Sequence, residues 1–442
     1  MFCRAAGFEH ISRYITGLIV NPNKTLQGIH DSQVWPEGQA VSSRAMHAAV
    51  FEAGWESEGL LPRHREVVSD DYRQSRQVIS LDWSLLHHEY GPEIYGVKRG
   101  YDYVEKRYGR FQTVLTATVS NAKRVDGIAV EVQLPAALNA EKAYLKASAR
   151  QDYATVEAAR ERLLELLHYE SHRKGYRKIT EIALETVRQL EAEEHFPHAD
   201  YAFDNGVLNL PLCQFIEGCG KHWVSELESS RNIHWQNGWR RIDDVAAELK
   251  TSHPESFRCM TYTTRTGEER TVWAFSKVVR LKRYGRKRIL IVHEEADLSD
   301  TPRYLITDAL HWEGGRMLQT WSYRWSSELF HEFGKQGTGL ESAQVRNEEA
   351  VKRHLRLSCV AQSLLQNLTV SPSTSEPVKV MALATSSVAL TDCASATGTV
   401  FGPAASKTGS PGSRRMKAKA MIETPMKVGI RTHGVIQLNR AR

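Results

Sequence analysis

Apolar and polar positions divide this chain into segments of different period. Residues 1–74 carry short stretches with helical spacing, interrupted by turn residues such as Asn21-Pro22-Asn23. Residues 77–133 change to β-branched and apolar runs at 78–86 and 111–119, which predict strands. Residues 138–195 return to helical spacing, and a short strand is predicted at 199–204.

The second half of the chain alternates in the same way. Strands dominate from about 222 to 310, helices return from 318 to 369, and Ser, Thr, Ala and Gly prevail beyond Pro372. The pattern predicts an α/β protein with five parts: a helical N-terminal region (1–74), a core in two pieces (75–221 and 311–370), a β-rich insertion (222–310) and a basic, low-complexity, disordered tail (371–442). The N-terminal helices could form a small DNA-binding module or a helical cap on the core.

The distribution of charge limits what the net value of +6 can mean. The tail holds ten Lys or Arg residues against three acidic ones, so residues 1–370 carry a net charge of −1. Overall charge therefore gives no reason to expect the folded body to bind nucleic acid, and only local patches can do so.

Several classes of protein are disfavoured by composition. No apolar run approaches the ~18 residues of a membrane span, and no secretory signal opens the chain. Six scattered cysteines without a Cys-x-x-Cys pair favour a reduced cytoplasm. Cys213, Cys219 and His222 have no standard zinc spacing, and residues 334–339 do not have the order of a phosphate-binding loop, so no nucleotide cofactor is expected.

Three distant stretches each present one carboxylate in a similar setting. Asp82 lies within the apolar run at 78–86, and Asp204 ends the short strand at 199–204. Glu328 falls on a predicted helix. Two divalent cations need carboxylates that converge from different elements, and strand ends with a facing helix can supply them. The simpler interpretations are a strand-edge residue for Asp82 and a turn former for Asp204.

The Glu328 helix carries more than one charged position. If residues 320–336 are helical, Trp321, Arg324, Glu328 and Lys335 share one face. A carboxylate with cations one turn before it and two turns after it suits a phosphate backbone that passes over a metal site. The alternative is an ordinary surface Arg–Glu pair on an amphipathic helix.

At this helix the chain resembles a known family, the insertion-sequence DDE transposases with the YREK signature: Tyr, two residues, Arg, three residues, Glu, six residues, Lys. Arg324, Glu328 and Lys335 match that spacing, and Trp321 stands where the Tyr would be. The order of elements is also similar to the family's, with the Asp82 strand, the Asp204 strand, a β-rich insert and a strand at 304–308 ahead of the helix. The resemblance spans about residues 75–369.

The resemblance implies an RNase H-like α/β core in which Asp82, Asp204 and Glu328 hold two Mg²⁺ or Mn²⁺ ions. One ion would activate water or a DNA 3′-hydroxyl, and the other would stabilise the leaving oxygen. Arg324 and Lys335 would contact phosphates. Trp321 lacks the hydroxyl of the signature Tyr, although its indole could stack on an unpaired base.

The implied activity is that of a prokaryotic cut-and-paste transposase, which cleaves and joins DNA at the terminal inverted repeats of its element. The implied assembly is a homodimer across paired DNA ends. Two alternatives share the fold: a catalytically inactive DNA-binding or regulatory derivative, and an RNase H-like nuclease without strand transfer.

Two basic patches add to the DNA-binding interpretation. The denser one is a predicted hairpin tip inside the insertion, and it contains Lys282, Arg283, Arg286, Lys287 and Arg288. Such a tip could follow the DNA backbone without reading sequence, or it could be a solvated hairpin. A looser patch near Asp82 comprises Lys98, Arg99, Lys106, Arg107 and Arg110.

Overall fold

The computed structural model describes residues 5–33, 41–150, 153–166 and 175–367, together with the backbone of 427–431 and 435–439. Its helices are α1 (Ala5–Val20), α2 (Leu26–Asp31), α3 (Ser43–His47), α4 (Leu60–Ser69), α5 (Ala137–Ala149), α6 (Tyr153–Leu166), α7 (Ile179–Glu193), α8 (Leu210–Gly218), α9 (Ile242–Ser252), α10 (Gly314–Ser322), α11 (Trp325–Gly337) and α12 (Glu348–Gln366). Among the described residues, no helix combines the length and the apolar composition needed to cross a membrane.

Most strands join one mixed sheet. They are β1 (Val78–His87), β2 (Lys98–Asp102), β3 (Arg107–Ser120), β4 (Val125–Gln133), β5 (Asp200–Phe203), β6 (Trp223–Glu226), β7 (Asn232–Trp235), β8 (Gly238–Arg241), β9 (Arg258–Thr263), β10 (Glu269–Leu281), β11 (Gly285–His293) and β12 (Arg303–Thr307). The order is β2-β3-β1-β5-β6-β12-β11-β10-β7-β8, with β4 paired to β3 and β9 paired to β10.

The centre of the sheet combines antiparallel and parallel pairing. β1 is antiparallel to β3, which is antiparallel to β4, whereas β5 is parallel to both β1 and β6. Consecutive antiparallel strands need only short turns, and each parallel neighbour follows a helical crossover, as chain connectivity requires. The predicted mixed α/β class is confirmed.

Successive side chains of a strand point to opposite faces of the sheet, so the hydrophobic core has one part on each face. Ile79 and Leu81 of β1 join one cluster with residues of α7, α8 and α9. Leu86 joins the opposite cluster, which includes Phe330 of α11 and Leu355 of α12. Because side chains two positions apart share a face, Asp82 lies on the α11 side of the sheet.

The N-terminal helices pack on the last helix of the core. Tyr14 and Leu18 of α1 share a buried cluster with Leu357 of α12, and the Tyr14 hydroxyl is 2.7 Å from His354 Nδ1. This packing is that of a helical cap on the core. The alternative of a DNA-binding module stays a prediction.

The strands of the predicted insertion extend the core sheet. β6 lies inside the range 222–310, yet it pairs with β5, and β12, β11 and β10 follow in the same sheet. The sheet therefore runs across the predicted boundary at 221–222. One helix, α9, also lies within this strand-dominated range. Of the tail, the structure describes β13 (Lys427–Arg431) paired with β14 (Val435–Asn439); the remainder of 371–442 lies outside the described residues.

Three buried histidines should make the fold sensitive to acid. Burial lowers the pKa of His64 and His354 to about 4 and that of His331 to about 3. An unfolded histidine titrates near ~6.5, so each one takes up a proton only on unfolding between about pH 6.5 and 4. The free energy of unfolding should therefore fall as the pH falls through that window.

Urea unfolding of the wild type and His64→Gln at several pH values between 7 and 4.5 measures this contribution. We expect the variant to take up close to one proton fewer than the wild type when it unfolds. Its free energy of unfolding should therefore depend less steeply on pH, by roughly 1.4 kcal/mol per pH unit. Equal pH dependence in the two proteins would contradict the prediction.

Candidate active site

Three neighbouring parallel strands each present a carboxylate at the same level of the sheet. Leu81 of β1 is in register with Phe203 of β5, which is in register with Ser225 of β6. One position further along each strand lie Asp82, Asp204 and Glu226. Their side chains fall on the face of the sheet that α11 covers, so the register itself brings two of the predicted carboxylates side by side.

We call Asp82, Asp204 and Glu226 the carboxylate row, and the pKa of Asp82 shows how crowded it is. Burial and the nearby Asp204 carboxylate together raise the pKa of Asp82 to about 7, although the Arg324 guanidinium lowers it. One carboxylate oxygen accepts the backbone N–H of Trp83 at 2.8 Å. The other lies 3.6 Å from Arg324 Nη1. An anion in this setting is stabilised by any additional cation.

Asp204 also shapes the turn that follows β5. Its Oδ1 accepts the backbone N–H groups of Gly206 at 3.0 Å and Val207 at 3.2 Å. A side chain at Gly206 would meet the indole nitrogen of Trp83, 2.9 Å from an added Cβ. Burial raises the pKa of Asp204, although those two hydrogen bonds lower it. The turn-forming role that its Asn-Gly neighbours suggest is therefore real, and it fixes the carboxylate in the row.

α11 supplies the third predicted carboxylate. Arg324 precedes the helix and forms an ion pair with Glu328 one turn later, while its other terminal nitrogen faces Asp82. Glu328 influences the pKa of both Asp82 and Asp204, which places it within interaction distance of both. Arg324 therefore pairs directly with Asp82 and Glu328, and it also influences the pKa of Asp204.

Polar contacts fix α11 against the sheet at the level of the carboxylates. His331 Nε2 is 2.7 Å from the hydroxyl of Thr116, the residue opposite Asp82 in the β1–β3 register. Ser327 contacts Thr118 at 3.2 Å. Lys335 donates to the backbone carbonyl of Leu85 at 2.7 Å, so its ammonium group lies against β1 near the site.

Trp321 does not lie on the helix that carries Glu328. The predicted single helix is interrupted at Tyr323 and Arg324, and Trp321 belongs to α10. Its indole is only 8% exposed and packs with Met317 and Leu318 beneath the Arg324 guanidinium, which lies 5.1 Å above the ring. This burial does not favour the predicted stacking of Trp321 on a base; the side chain instead supports Arg324.

Glu226 is the residue that the sequence analysis missed. Burial raises its pKa, as does Asp204, while Arg303 and Arg324 lower it. The signal was present: the apolar residues Trp223 and Val224 open a short strand that ends in a carboxylate, much as an apolar strand precedes Asp204. Because the sequence predicts a separate insertion over residues 222–310, this carboxylate was not considered together with those of the core.

The donor set suits a hard divalent cation. Carboxylate oxygens are the ligands that Mg²⁺ and Mn²⁺ prefer, and the crowding that raises the pKa values of Asp82 and Asp204 would be relieved by such an ion. Asp82, Asp204 and Glu328 would hold it, with Glu226 beside them. Because Arg324 pairs with Asp82 and Glu328, a bound cation would compete with its guanidinium for the same oxygens.

A second acidic group needs a different explanation. Within the described part of the chain, His87, Asp102 and Glu105 have ligand atoms that all lie within 4.8 Å of one another. Asp102 accepts the backbone N–H groups of Val104 and Glu105 and is 2.9 Å from His87 Nε2. These contacts are those of a hairpin turn, and they account for the grouping without an ion.

The predicted basic tip divides into outward and inward residues. Lys282, Arg283 and Arg286 are exposed at the β10–β11 turn. Lys287 is buried and lies 3.0 Å from Glu217, and Arg288 donates to the carbonyl of Leu310. The last two are thus engaged within the fold, as strand alternation and the contacts of β11 require.

The tip also lies far from the carboxylates. β11 runs parallel to β6, and Leu290 is level with Glu226 through Leu305 of β12. The turn before Gly285 is five positions earlier, about 16 Å along the strand at the usual rise of about 3.3 Å per residue. The exposed basic residues therefore lie toward the opposite end of the sheet.

A cavity of about 560 Å³ occupies that opposite end near the start of β5. Arg76, Asp200 and Arg316 are among its lining residues, and Arg316 is 3.9 Å from Asp200. The carboxylate row lies elsewhere.

A scan against protein-family models gives no match for this chain, and a search of curated proteins gives none either.

Proposed function

We propose that this protein is a metal-dependent DNA transposase of the DDE type, which cleaves and joins DNA at the ends of its element. The observation that carries the proposal is that Arg324 pairs with both Asp82 and Glu328, while Asp82, Asp204 and Glu328 lie close enough to influence one another's pKa values. The strand order β4-β3-β1-β5-β6, with β5 and β6 parallel to β1, supports an RNase H-like core. Two bound Mg²⁺ or Mn²⁺ ions would supply activation of the nucleophile and stabilisation of the leaving oxygen.

The side chains around the row have different proposed roles. Asp82 and Asp204 are held rigidly by strand register and by hydrogen bonds from Trp83, Gly206 and Val207, which preorganises them for catalysis. Arg324 would exchange these carboxylates for a phosphate oxygen once cations and DNA were bound, because a guanidinium binds either anion through paired N–H groups. Lys335 adds positive charge beside β1.

Strand cleavage is tested on a linear duplex that carries the repeats flanking the coding sequence. The expected result is Mn²⁺- or Mg²⁺-dependent cleavage at the repeat ends, followed by joining of the 3′-hydroxyl to a target plasmid. Cleavage without joining would favour the nuclease alternative. Specific binding without cleavage under any divalent cation would favour the inactive derivative.

The exposed tip of the β10–β11 hairpin should supply electrostatic DNA contacts outside the reaction centre. Replacing Lys282, Arg283 and Arg286 with Gln should reduce the salt dependence of duplex binding, by up to roughly 0.9 in log–log slope for each phosphate that is no longer neutralised. Lys287→Gln serves as the matched control, since that ammonium group pairs with Glu217 and its removal should lower stability without changing the slope. An unchanged slope in the triple variant would show that the tip does not contact DNA.

A further inference from the structure

The hairpin of β2 and the first part of β3 has one packed face and one exposed face. Its register pairs Arg99 with Arg110 and Tyr101 with Tyr108, and directly paired residues project to the same side. Asp102 and Phe111 project to the other side and are buried. Arg99, Arg110, Tyr101 and Tyr108 therefore share the outward face, which we call the tyrosine face.

Three aromatic rings are grouped there. The Tyr101 ring centroid is 5.0 Å from that of Tyr103 and 5.2 Å from that of Tyr108, both edge to face. Tyr103 is 84% exposed and Tyr108 is 69% exposed. Contiguous exposed aromatic rings on a folded surface usually mark a site of interaction, because burying them on a partner is favourable.

The charges around the rings favour an anionic partner. Arg99 is exposed on the tyrosine face, and Lys106 is exposed at the turn. The acidic residues of this region are engaged with the hairpin itself: Glu89 and Glu105 pair with Arg107, and Asp102 caps the turn. Basic groups interleaved with rings form the type of surface on which unpaired bases stack while their phosphates are neutralised.

The hairpin extends from the carboxylate end of the sheet. Asp82 is opposite Thr116 of β3, and Tyr108 lies eight positions further along β3, beyond the last residue of β1. At about 3.3 Å per residue the Tyr101–Tyr108 pair of this face lies about 26 Å from the row. That distance equals roughly eight nucleotides of a strand with B-form rise.

We propose that the tyrosine face binds unpaired DNA that extends away from the reaction centre, with Tyr103 and Tyr108 stacking on bases and Arg99 contacting phosphate. The inference rests on the proposed function for its choice of DNA as the anionic partner. Double-stranded DNA offers few exposed base faces, so the face should discriminate in favour of single strands.

Fluorescence anisotropy with a labelled twelve-nucleotide single strand and a blunt duplex tests the proposal. The full chain carries Asp82→Asn so that binding is measured without cleavage. Replacing both Tyr103 and Tyr108 with Ala should weaken single-strand binding at least roughly tenfold and duplex binding much less. Tyr103→Phe with Tyr108→Phe should restore single-strand affinity, because stacking needs the ring rather than the hydroxyl. Trp239→Ala, an exposed aromatic on β8 at the opposite edge of the sheet, is the matched control.

Unchanged single-strand affinity in the double Ala variant would overturn the inference, as would an equal reduction in Trp239→Ala. A change of oligomeric state in place of a change in DNA binding would also overturn it and identify the face as an interface between copies. Tyrosine-dependent binding in a wild type that cleaves no DNA would uphold the inference and remove the proposed function. Cleavage with tyrosine-independent binding would do the reverse.

Discussion

Replacing Asp82, Asp204 or Glu328 with Ala is expected to lower the rate of strand cleavage by roughly a thousandfold or more for each substitution. Metal ligation contributes several kcal/mol to stabilisation of the transition state, and each 1.36 kcal/mol is a factor of about ten in rate. The three effects should not multiply, because removing one ligand already disrupts the shared metal site. Binding of the terminal repeats should remain close to the wild-type value, since it depends on contacts distributed along the DNA.

Glu332→Ala is the matched control for this experiment. Glu332 lies one turn after Glu328 on α11 and is exposed, so its replacement removes the same charge from the same helix outside the row. Cleavage by this variant should stay within a few-fold of the wild type. Cleavage that persists in any one of the three triad variants would exclude that residue from the metal site.

Asp82→Asn is expected to stabilise the protein at pH 8 in the absence of divalent cations. The folded pKa of Asp82, about 7, lies above the ordinary value of 3.8, so the folded state binds the extra proton between these pH values. The resulting stability is fully present below about pH 4 and is lost as the pH rises through 7. Removing the charge recovers it, with an upper bound of roughly 4 kcal/mol at 1.36 kcal/mol per pKa unit.

Mn²⁺ should narrow this difference in stability between the wild type and Asp82→Asn. An ion that binds only the folded state adds about 2.7 kcal/mol at one hundred times its dissociation constant, and Asp82→Asn should lose most of that gain. Urea unfolding at pH 8 in EDTA and in Mn²⁺, with Glu332→Gln as control, measures both effects. An Asn variant that is less stable than the wild type in EDTA, or equally stabilised by Mn²⁺, would contradict the assignment.

Strand composition made much of the central sheet and two of its carboxylates predictable. Asp82 and Asp204 stand out because a charged residue next to an apolar run needs a partner or a cation. Their adjacency could not be derived, since pairing of β1 with β5 joins residues more than a hundred positions apart. Glu226 shows the same limitation, because its place in the row depends on the register of β6 with β5.

Local breaks in periodicity explain the other differences. A continuous helix over 320–336 would put Trp321 on the Arg324 face, but the turn at Tyr323 and Arg324 leaves the indole within the core. At the β10–β11 hairpin, charge density alone suggested one uniform basic tip. In the structure, Lys287 is instead buried and pairs with Glu217, and Arg288 donates to the backbone carbonyl of Leu310.

The most direct test of the central claim is anomalous diffraction from crystals of the full chain grown or soaked with Mn²⁺. The proposal predicts two anomalous peaks about 3.5–4 Å apart, with ligands from Asp82, Asp204 and Glu328, and with Arg324 displaced from Asp82. Peaks confined to other carboxylates, such as the group at His87, Asp102 and Glu105, or an unchanged Arg324 with no Mn²⁺ at the row, would contradict it.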